Sequence, residues 1–416
     1  MVSRPTTIDL WDPAYPEMSP TSTTNGRTKI MFYVQDSWGL GHLQRVSKLA
    51  RALQDEAECL ILCGQREAGW VIPDRCEYLH IPSLNNLLFE RAQFLGKRQF
   101  LQLSRQQAIA FRRTFIERAI ETFRPDVIVV ENLALGMLDE LSGVLDRTEA
   151  VKIFLTRGII AHPSRVRRFM LRPNVEEALV TLFQASIVAC DRRVWDLDSE
   201  YHLGAPLAGK LEYVGYMSEA VDPSDIRAAR RERGVDAATK WIVCSAGGGA
   251  LGEALVQELQ TIMQSFTNVV VDIVQGPRSA LPWAPLLTST IEQGNVRLHR
   301  ECRALPLLHA SADLVVCTGG YNSLVEAMEG GARVVAVPVQ LEPQDEQFLQ
   351  CSRLAPYYPI TLVEDRAALA KSITDALERC ETKNSIRETG NLDFDGLSNA
   401  SKFILSCVRR KPNQTP

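Results

Sequence analysis

Two series of short apolar runs, each run followed by a stretch of helical periodicity, limit what this chain can fold into. The first series is KIMFYVQ (29–35), ECLILC (58–63), DVIVVE (126–131), AVKIFLT (150–156) and ASIVAC (185–190). Near-continuous apolar runs suit strands buried on both faces, as in parallel sheets. The second series, starting near residue 240, is WIVCSA, NVVVDIV, NVRLH, ADLVVC and ARVVAVP. Segments such as HLQRVSKLARALQ, apolar at helical spacing, lie between most of them. Strand alternating with helix predicts parallel sheets covered by helices. The expected fold is therefore α/β, with two Rossmann-like halves facing each other across a cleft. The first half is expected over 28–215 and the second over 216–395. The turn-rich stretch LEYVGYMSEAVDPSD (211–225) carries the boundary. Residues 1–27, with several Pro, Ser and Thr, read as a flexible arm. Residues 396–416 read as a last helix and tail, with a return to the first half as an option.

Composition narrows the partners. A net charge of −4 gives no reason to expect nucleic acid. No run of about 18 apolar residues is present, so no membrane span is expected. The N-terminus lacks the pattern of a secretory signal. The ten cysteines form no CxxC pair and no cluster with zinc spacing. They read as buried thiols in a reducing, cytoplasmic setting.

In an open parallel sheet, ligands bind beyond the carboxyl ends of the strands. Three strand-to-helix turns are rich in glycine: GLGH (39–42), SAGGG (245–249) and TGGYNS (318–323). Glycine permits close backbone approach and positive φ, and a helix N-terminus suits phosphate. The first turn supplies Gly39 and Gly41, with Trp38 beside them to stack on substrate or to fill core. The second supplies Gly247, Gly248 and Gly249. The third supplies Thr318, Gly319, Gly320, Tyr321, Asn322 and Ser323. The two turns of the second half are expected to converge on one diphosphate. Gly320 is expected at positive φ against the phosphate. Glu326, one turn further in, is placed to accept hydrogen bonds from a ribose diol. The plainer alternative has Asn322 and Ser323 capping the helix and Glu326 facing water.

The stretch TGGYNSLVEAMEGGARVVAVPVQLEPQDEQFLQCSRL resembles the nucleotide-sugar signature of two-domain GT-B glycosyltransferases. The resemblance is nearest to the branch of the peptidoglycan N-acetylglucosaminyltransferase and its "predicted glycosyltransferase" relatives. It covers roughly 28–380 and is sharpest over 300–355. It implies that Gly320 to Ser323 open the phosphate-holding helix and that Glu326 holds the ribose. It also implies that a strand ends at Pro338, that Glu346 and Gln347 meet the donor sugar, and that the turn at Arg303 and Leu305 meets the nucleotide base. GLGHLQR matches the first glycine loop of the group, and VGYM (214–217) matches the entry to the second half. Retaining members carry two glutamates eight positions apart. Glu326 matches the second, but neither Thr318, eight positions before it, nor the neighbouring Gly319 is a glutamate, which favours an inverting enzyme. Inverting members need no metal, and no other cofactor is implied. The donor is expected to be a UDP-sugar rather than a dTDP-sugar. The acceptor is expected to be a hydroxyl or amine of a small or lipid-linked molecule. The Asp196-Leu197-Asp198 and Asp393-Phe394-Asp395 triplets are discounted as metal sites.

Inverting transfer needs a base. His42, at the tip of the first strand, is the first candidate, with phosphate contact or capping as alternatives. Glu131, closing DVIVVE, is the second. His80, His162, His202, His299 and His309 read as surface or packing residues. Replacing Glu326 by Ala is expected to weaken donor binding and spare the fold. The 88–118 region is rich in Arg and Lys (Arg91, Lys97, Arg98, Arg105, Arg112, Arg113, Arg118), and Arg165, Arg167, Arg168 and Arg172 form a second group. Region 88–118 reads as solvated helix faces, or as contact with an anionic acceptor or the inner membrane surface. Two rivals share the fold: a sugar-nucleotide 2-epimerase and a non-catalytic nucleotide-sugar-binding subunit.

Overall fold

The computed structural model describes residues 26–35, 39–65, 69–83, 103–236, 238–247, 252–266, 268–276, 279, 290–339, 345–379 and 383–409. The first sheet holds β1 (Thr28–Tyr33), β2 (Ala57–Cys63), β3 (Cys76–His80), β4 (Val127–Glu131), β5 (Val151–Arg157), β6 (Ala185–Ala189) and β7 (Leu211–Tyr213). All pair in parallel, in the order β3-β2-β1-β4-β5-β6-β7. Phe32 lies opposite both Ile61 and Val129. Side chains alternate between faces along a strand. Ile30 and Phe32 therefore join one core cluster, and Met31 and Tyr33 the other. This two-sided burial is what the continuous apolar runs require.

The second sheet holds β8 (Lys240–Ser245), β9 (Val269–Val274), β10 (Thr290–Gln293), β11 (Val296–His299), β12 (Leu314–Cys317), β13 (Arg333–Ala336) and β14 (Ile360–Leu362). Its order is β10-β11-β9-β8-β12-β13-β14, parallel except for the antiparallel edge strand β10. The order in which successive strands are added reverses at β1 in one sheet and at β8 in the other. Each reversal opens a crevice at the carboxyl ends of the strands.

Six helices carry the rest of the argument: α1 (Gly41–Leu53), α2 (Arg105–Phe123), α3 (Leu305–Ser311), α4 (Tyr321–Glu329), α5 (Glu346–Leu354) and α6 (Gly396–Arg409). α1 follows β1, and α4 follows β12 through the turn that the sequence singles out. α6 packs on α1, so the last described helix lies against the first described one. The return passes beside the outward link. Met217 and Asp395 form an isolated antiparallel bridge. The Tyr216 N–H donates to the Asp393 carbonyl at 2.7 Å, and the Gly396 N–H to the Tyr216 carbonyl at 3.2 Å. One core cluster runs through Val214, Tyr216, Met217, Leu397 and Ile404 and includes residues of both sheets.

No described helix is long and apolar enough to cross a membrane. Of the basic region, 84–102 lies outside the described residues, with Arg91, Lys97 and Arg98 in it. α2 begins on a Ser104 capping box, with Ser104 and Gln107 satisfying each other's backbone N–H. Arg112 is not a surface charge. It is fully buried, with Nε donating to Glu140 at 3.0 Å and one nitrogen to the Tyr33 hydroxyl at 3.0 Å. In the second basic group, Arg165, Arg167 and Arg172 pair with Asp345, Glu176 and Asp139. Arg112 is thus spent inside the protein, whereas Arg165, Arg167 and Arg172 are partly exposed and paired at the surface.

Candidate active site

α1 builds one wall of the cleft. Leu43, Val46, Leu49, Ala50 and Leu53 bury against the first sheet. On another face, His42, Arg45, Lys48 and Arg51 recur every third residue. Only Arg51 of these is exposed; Arg45 is 1% accessible and Lys48 5%. Buried cations persist only when paired.

His42 and Arg45 share one carboxylate. Glu131, completely buried at the end of β4, takes His42 Nδ1 at 2.7 Å and a short contact from Arg45. An ionised carboxylate only accepts, so Nδ1 carries the proton and Nε2 keeps its lone pair. Burial lowers the His42 pKa below 6.5, against the opposing pull of Glu131, so the ring is neutral at pH 7. Burial pushes the Glu131 carboxyl up, but His42, Arg45 and Arg157 outweigh it and hold it at about 2. The sequence offered His42 and Glu131 as alternative bases. The structure makes them partners, with Glu131 behind the ring and away from water. Glu131 Oε2 has no hydrogen-bond partner.

Lys48 crosses to the second half. Its Nζ lies 2.7 Å from Glu326 Oε1, and both side chains are buried. Glu326 is therefore not the solvated first-turn acid of the plainer alternative. His309, on α3, puts Nδ1 2.9 Å from Glu326 Oε2 and Nε2 3.1 Å from Ser245 Oγ. Ser245 Oγ in turn lies 3.4 Å from Ser323 Oγ. His309 is fully buried, so it is neither surface nor mere packing. Burial pushes the Glu326 carboxyl up, but Lys48 and His309 hold it at about 2. His299 does fit a structural role, with Nε2 2.6 Å from buried Asp272.

Three further contacts join the halves. Asn322 Nδ2 donates to the Gly41 carbonyl at 3.1 Å and to Gln44 at 3.2 Å. Arg157, closing β5, pairs with Glu346 at 2.6 Å. Arg45 lies over the Tyr321 ring, 5.3 Å from its centroid. Burial raises the Glu346 pKa, and Arg157 opposes it.

Between these contacts is a cleft enclosing about 930 Å³ of non-protein space, open solvent included. Gly247, Arg303, Leu305, Asn322, Ser323 and Glu326 line it from the second half, and Leu40, Gln44, Lys48, Arg51 and Trp70 from the first. Tyr321 points elsewhere, its hydroxyl accepting the Met217 N–H at 3.1 Å. Gln347 accepts the Val339 N–H at 3.0 Å and reaches Thr318 at 3.5 Å. Gly39 offers its carbonyl to Gln65 at 3.2 Å. Trp38, Gly248 and Gly249 lie outside the described residues.

The third glycine turn needs one correction. Gly320 has φ −68°, and a Cβ there would meet nothing within 4 Å. The left-handed residue is Gly319, at φ +80°, where a Cβ would sit 2.5 Å from Cys351 Sγ. Gly319→Ala is expected to destabilise the fold by roughly 1–3 kcal/mol through strain and overpacking. Gly320→Ala is expected to leave the urea midpoint unchanged. Equal midpoints for the two variants would refute the assignment.

Arg45, Lys48, Arg157 and His309 escaped the sequence reading. For the first two a signal existed. Cations at every third position on a helix whose other face is apolar mark a stripe that needs anionic partners.

No family model matches the sequence, and no curated protein is detectably similar to it. Solved structures are similar in fold. The calicheamicin glycosyltransferase CalG4 superposes with a TM-score of 0.61 at 14% identity, covering 93% of this chain and 99% of its own. The chain has the GT-B architecture. A UDP-GlcNAc 2-epimerase from Neisseria meningitidis bound to UDP-GlcNAc gives 0.60 at 14% identity, covering 92% and 100%. The spinosyn rhamnosyltransferase SpnG complexed with thymidine diphosphate gives 0.53 at 17%, covering 91% and 96%. GT-B architecture thus accommodates both reaction classes, and the choice between them rests on the site.

Proposed function

We propose that this chain is an inverting glycosyltransferase that moves a sugar from a nucleoside-diphosphate sugar, UDP- rather than dTDP-linked, to an acceptor hydroxyl or amine. The observation that carries this reading is the pairing of two devices. A donor-type cleft is lined by Gly247, Asn322, Ser323 and Glu326, and a neutral His42 is held by its Nδ1 on Glu131. The UDP-GlcNAc and the thymidine diphosphate named for two structures of similar fold support the donor class. The missing first glutamate, with Thr318 standing eight positions before Glu326, supports inversion.

In this mechanism His42 Nε2 takes the proton of the acceptor hydroxyl. The acceptor oxygen attacks the anomeric carbon as the bond to the diphosphate oxygen breaks, and the electron pair leaves on the diphosphate. Glu131 stabilises the imidazolium that forms. Lys48 and the N–H groups at the start of α4 neutralise the leaving diphosphate, with no metal required of them. A ribose diol on Glu326 competes with Lys48 for Oε1, which frees the ammonium to meet the diphosphate. Arg303 and Leu305 face the nucleotide base, and Glu346 and Gln347 the donor sugar.

The second reading is a 2-epimerase of the same fold, favoured by the epimerase superposition. Acceptor dependence separates the two. Incubation with UDP-sugars is expected to release UDP only when an acceptor is added. Rapid UDP release or C2 inversion without acceptor would favour the epimerase. No binding of any UDP-, dTDP- or GDP-sugar in a thermal-shift panel would sink both. The chain is expected to act in the cytoplasm, with region 88–118 as the surface for any peripheral membrane contact.

A further inference from the structure

β3 is the edge strand of the first sheet, and its register with β2 sets two cysteines side by side. Cys59 and Cys76 are partners across these parallel strands. Side chains of such partners leave the sheet on the same face, and neighbouring strands run about 4.8 Å apart. That spacing lies within the roughly 4.4–6.8 Å that separates the Cα atoms of a disulfide. Both side chains pack into the same core cluster, and both are free thiols. No other two described cysteines are partners across a strand pair.

The two thiols are unlike. Cys59 is buried, whereas Cys76 is half-buried and within reach of water. A hydrogen bond from Cys59 lowers the Cys76 pKa, against the opposing effect of burial, and Arg51 on α1 adds to the lowering. The same bond, with burial behind it, pushes the Cys59 thiol up. The Ala50 carbonyl of α1 is a second acceptor for the Cys59 S–H, at 3.9 Å. A reachable sulfur with thiolate character beside a shielded one is the arrangement of an attacking and a resolving cysteine.

We infer that Cys59 and Cys76 form a reversible disulfide when a peroxide reaches the half-buried Cys76. The inference is independent of the sugar-transfer reading. The Cys76 thiolate attacks one oxygen of hydrogen peroxide. The O–O bond breaks, that oxygen stays on sulfur as a sulfenic acid, and the other leaves as hydroxide. This step also removes the thiolate that had held the Cys59 proton. The Cys59 sulfur then attacks the sulfenic sulfur. The S–S bond forms as the S–O bond breaks, and the oxygen leaves as water with the Cys59 proton. Two thiols are oxidised by two electrons in all, and one peroxide is reduced.

The test treats the full chain with hydrogen peroxide, blocks the remaining thiols with iodoacetamide and maps tryptic peptides. Cleavage after Arg and Lys puts Cys59 in peptide 52–66 and Cys76 in peptide 76–91. Wild type is expected to yield these two peptides linked, with Cys63 alkylated, and dithiothreitol is expected to separate them. Cys76→Ser is expected to lose the link and leave Cys59 reduced at the same peroxide dose. Cys59→Ser is expected to stop at the sulfenic acid, trapped by dimedone on Cys76 in large excess over wild type. No linked peptide in wild type, or a link that persists in Cys76→Ser, overturns the inference. Equal dimedone labelling of Cys76 in wild type and Cys59→Ser also overturns it, because Cys59 then resolves nothing.

Discussion

His42→Ala is expected to lower turnover by roughly 10²–10⁴, the usual worth of general-base catalysis. Donor affinity, read by calorimetry with UDP, is expected to stay within a factor of about two, because His42 does not line the donor cleft. Stability is expected to change little. Glu131 retains Arg45 when the ring is lost, so no buried charge is orphaned. The pH profile adds a second readout. Burial places the His42 pKa below 6.5, so wild-type turnover is expected to hold at neutral pH and fall on an acid limb below 6.5. Glu131→Gln removes the anion that favours the imidazolium. Its acid limb is therefore expected to move to lower pH while turnover drops, since the proton on Nδ1 is no longer fixed. Turnover of His42→Ala within tenfold of wild type would place the base elsewhere.

Glu326→Ala is expected to unfold the protein more easily by about 3–5 kcal/mol, the cost of breaking a buried pair and stranding its partner. The sequence alone suggested that this change would spare the fold. The structure overturns that, because Lys48 and His309 both terminate on this carboxylate. Glu326→Leu combined with Lys48→Met is expected to recover most of the loss, since the stranded charge goes with its partner. Both are expected to lose donor binding. The same pair links stability to pH. The Glu326 carboxyl ionises at about 2 in the folded chain against an ordinary 4.5. Its contribution is therefore complete above pH 4.5 and drains away as pH falls toward 2. A Glu326→Ala midpoint in urea equal to wild type would refute the buried pairing.

The fold was legible because parallel strands buried on both faces leave continuous apolar blocks, and helices between them leave a 3.6-residue period. Glycine turns after strands then pointed to the cleft. What stayed hidden was pairing across the cleft. Lys48 and Glu326 lie 278 residues apart, and no local pattern says which cation meets which anion. His309 was hidden for the same reason: on a seven-residue helix it looks like packing until Ser245 and Glu326 are placed beside it. The Gly319 and Gly320 exchange shows a finer limit. Adjacent glycines announce a left-handed residue without saying which one adopts it.

The two strands of chain that link the halves run side by side, bridged at Met217 and Asp395. A body attached at two adjacent parallel points behaves like a door on a pin: it swings about one axis and resists twisting. Any opening of the GT-B cleft along that axis lengthens Lys48–Glu326 and Arg157–Glu346 together, since both span it. Gly396 sits on the pin itself, where a Cβ would be 2.6 Å from the Tyr216 backbone. A side chain at that one position would displace the Tyr216 backbone and so disturb both links at once.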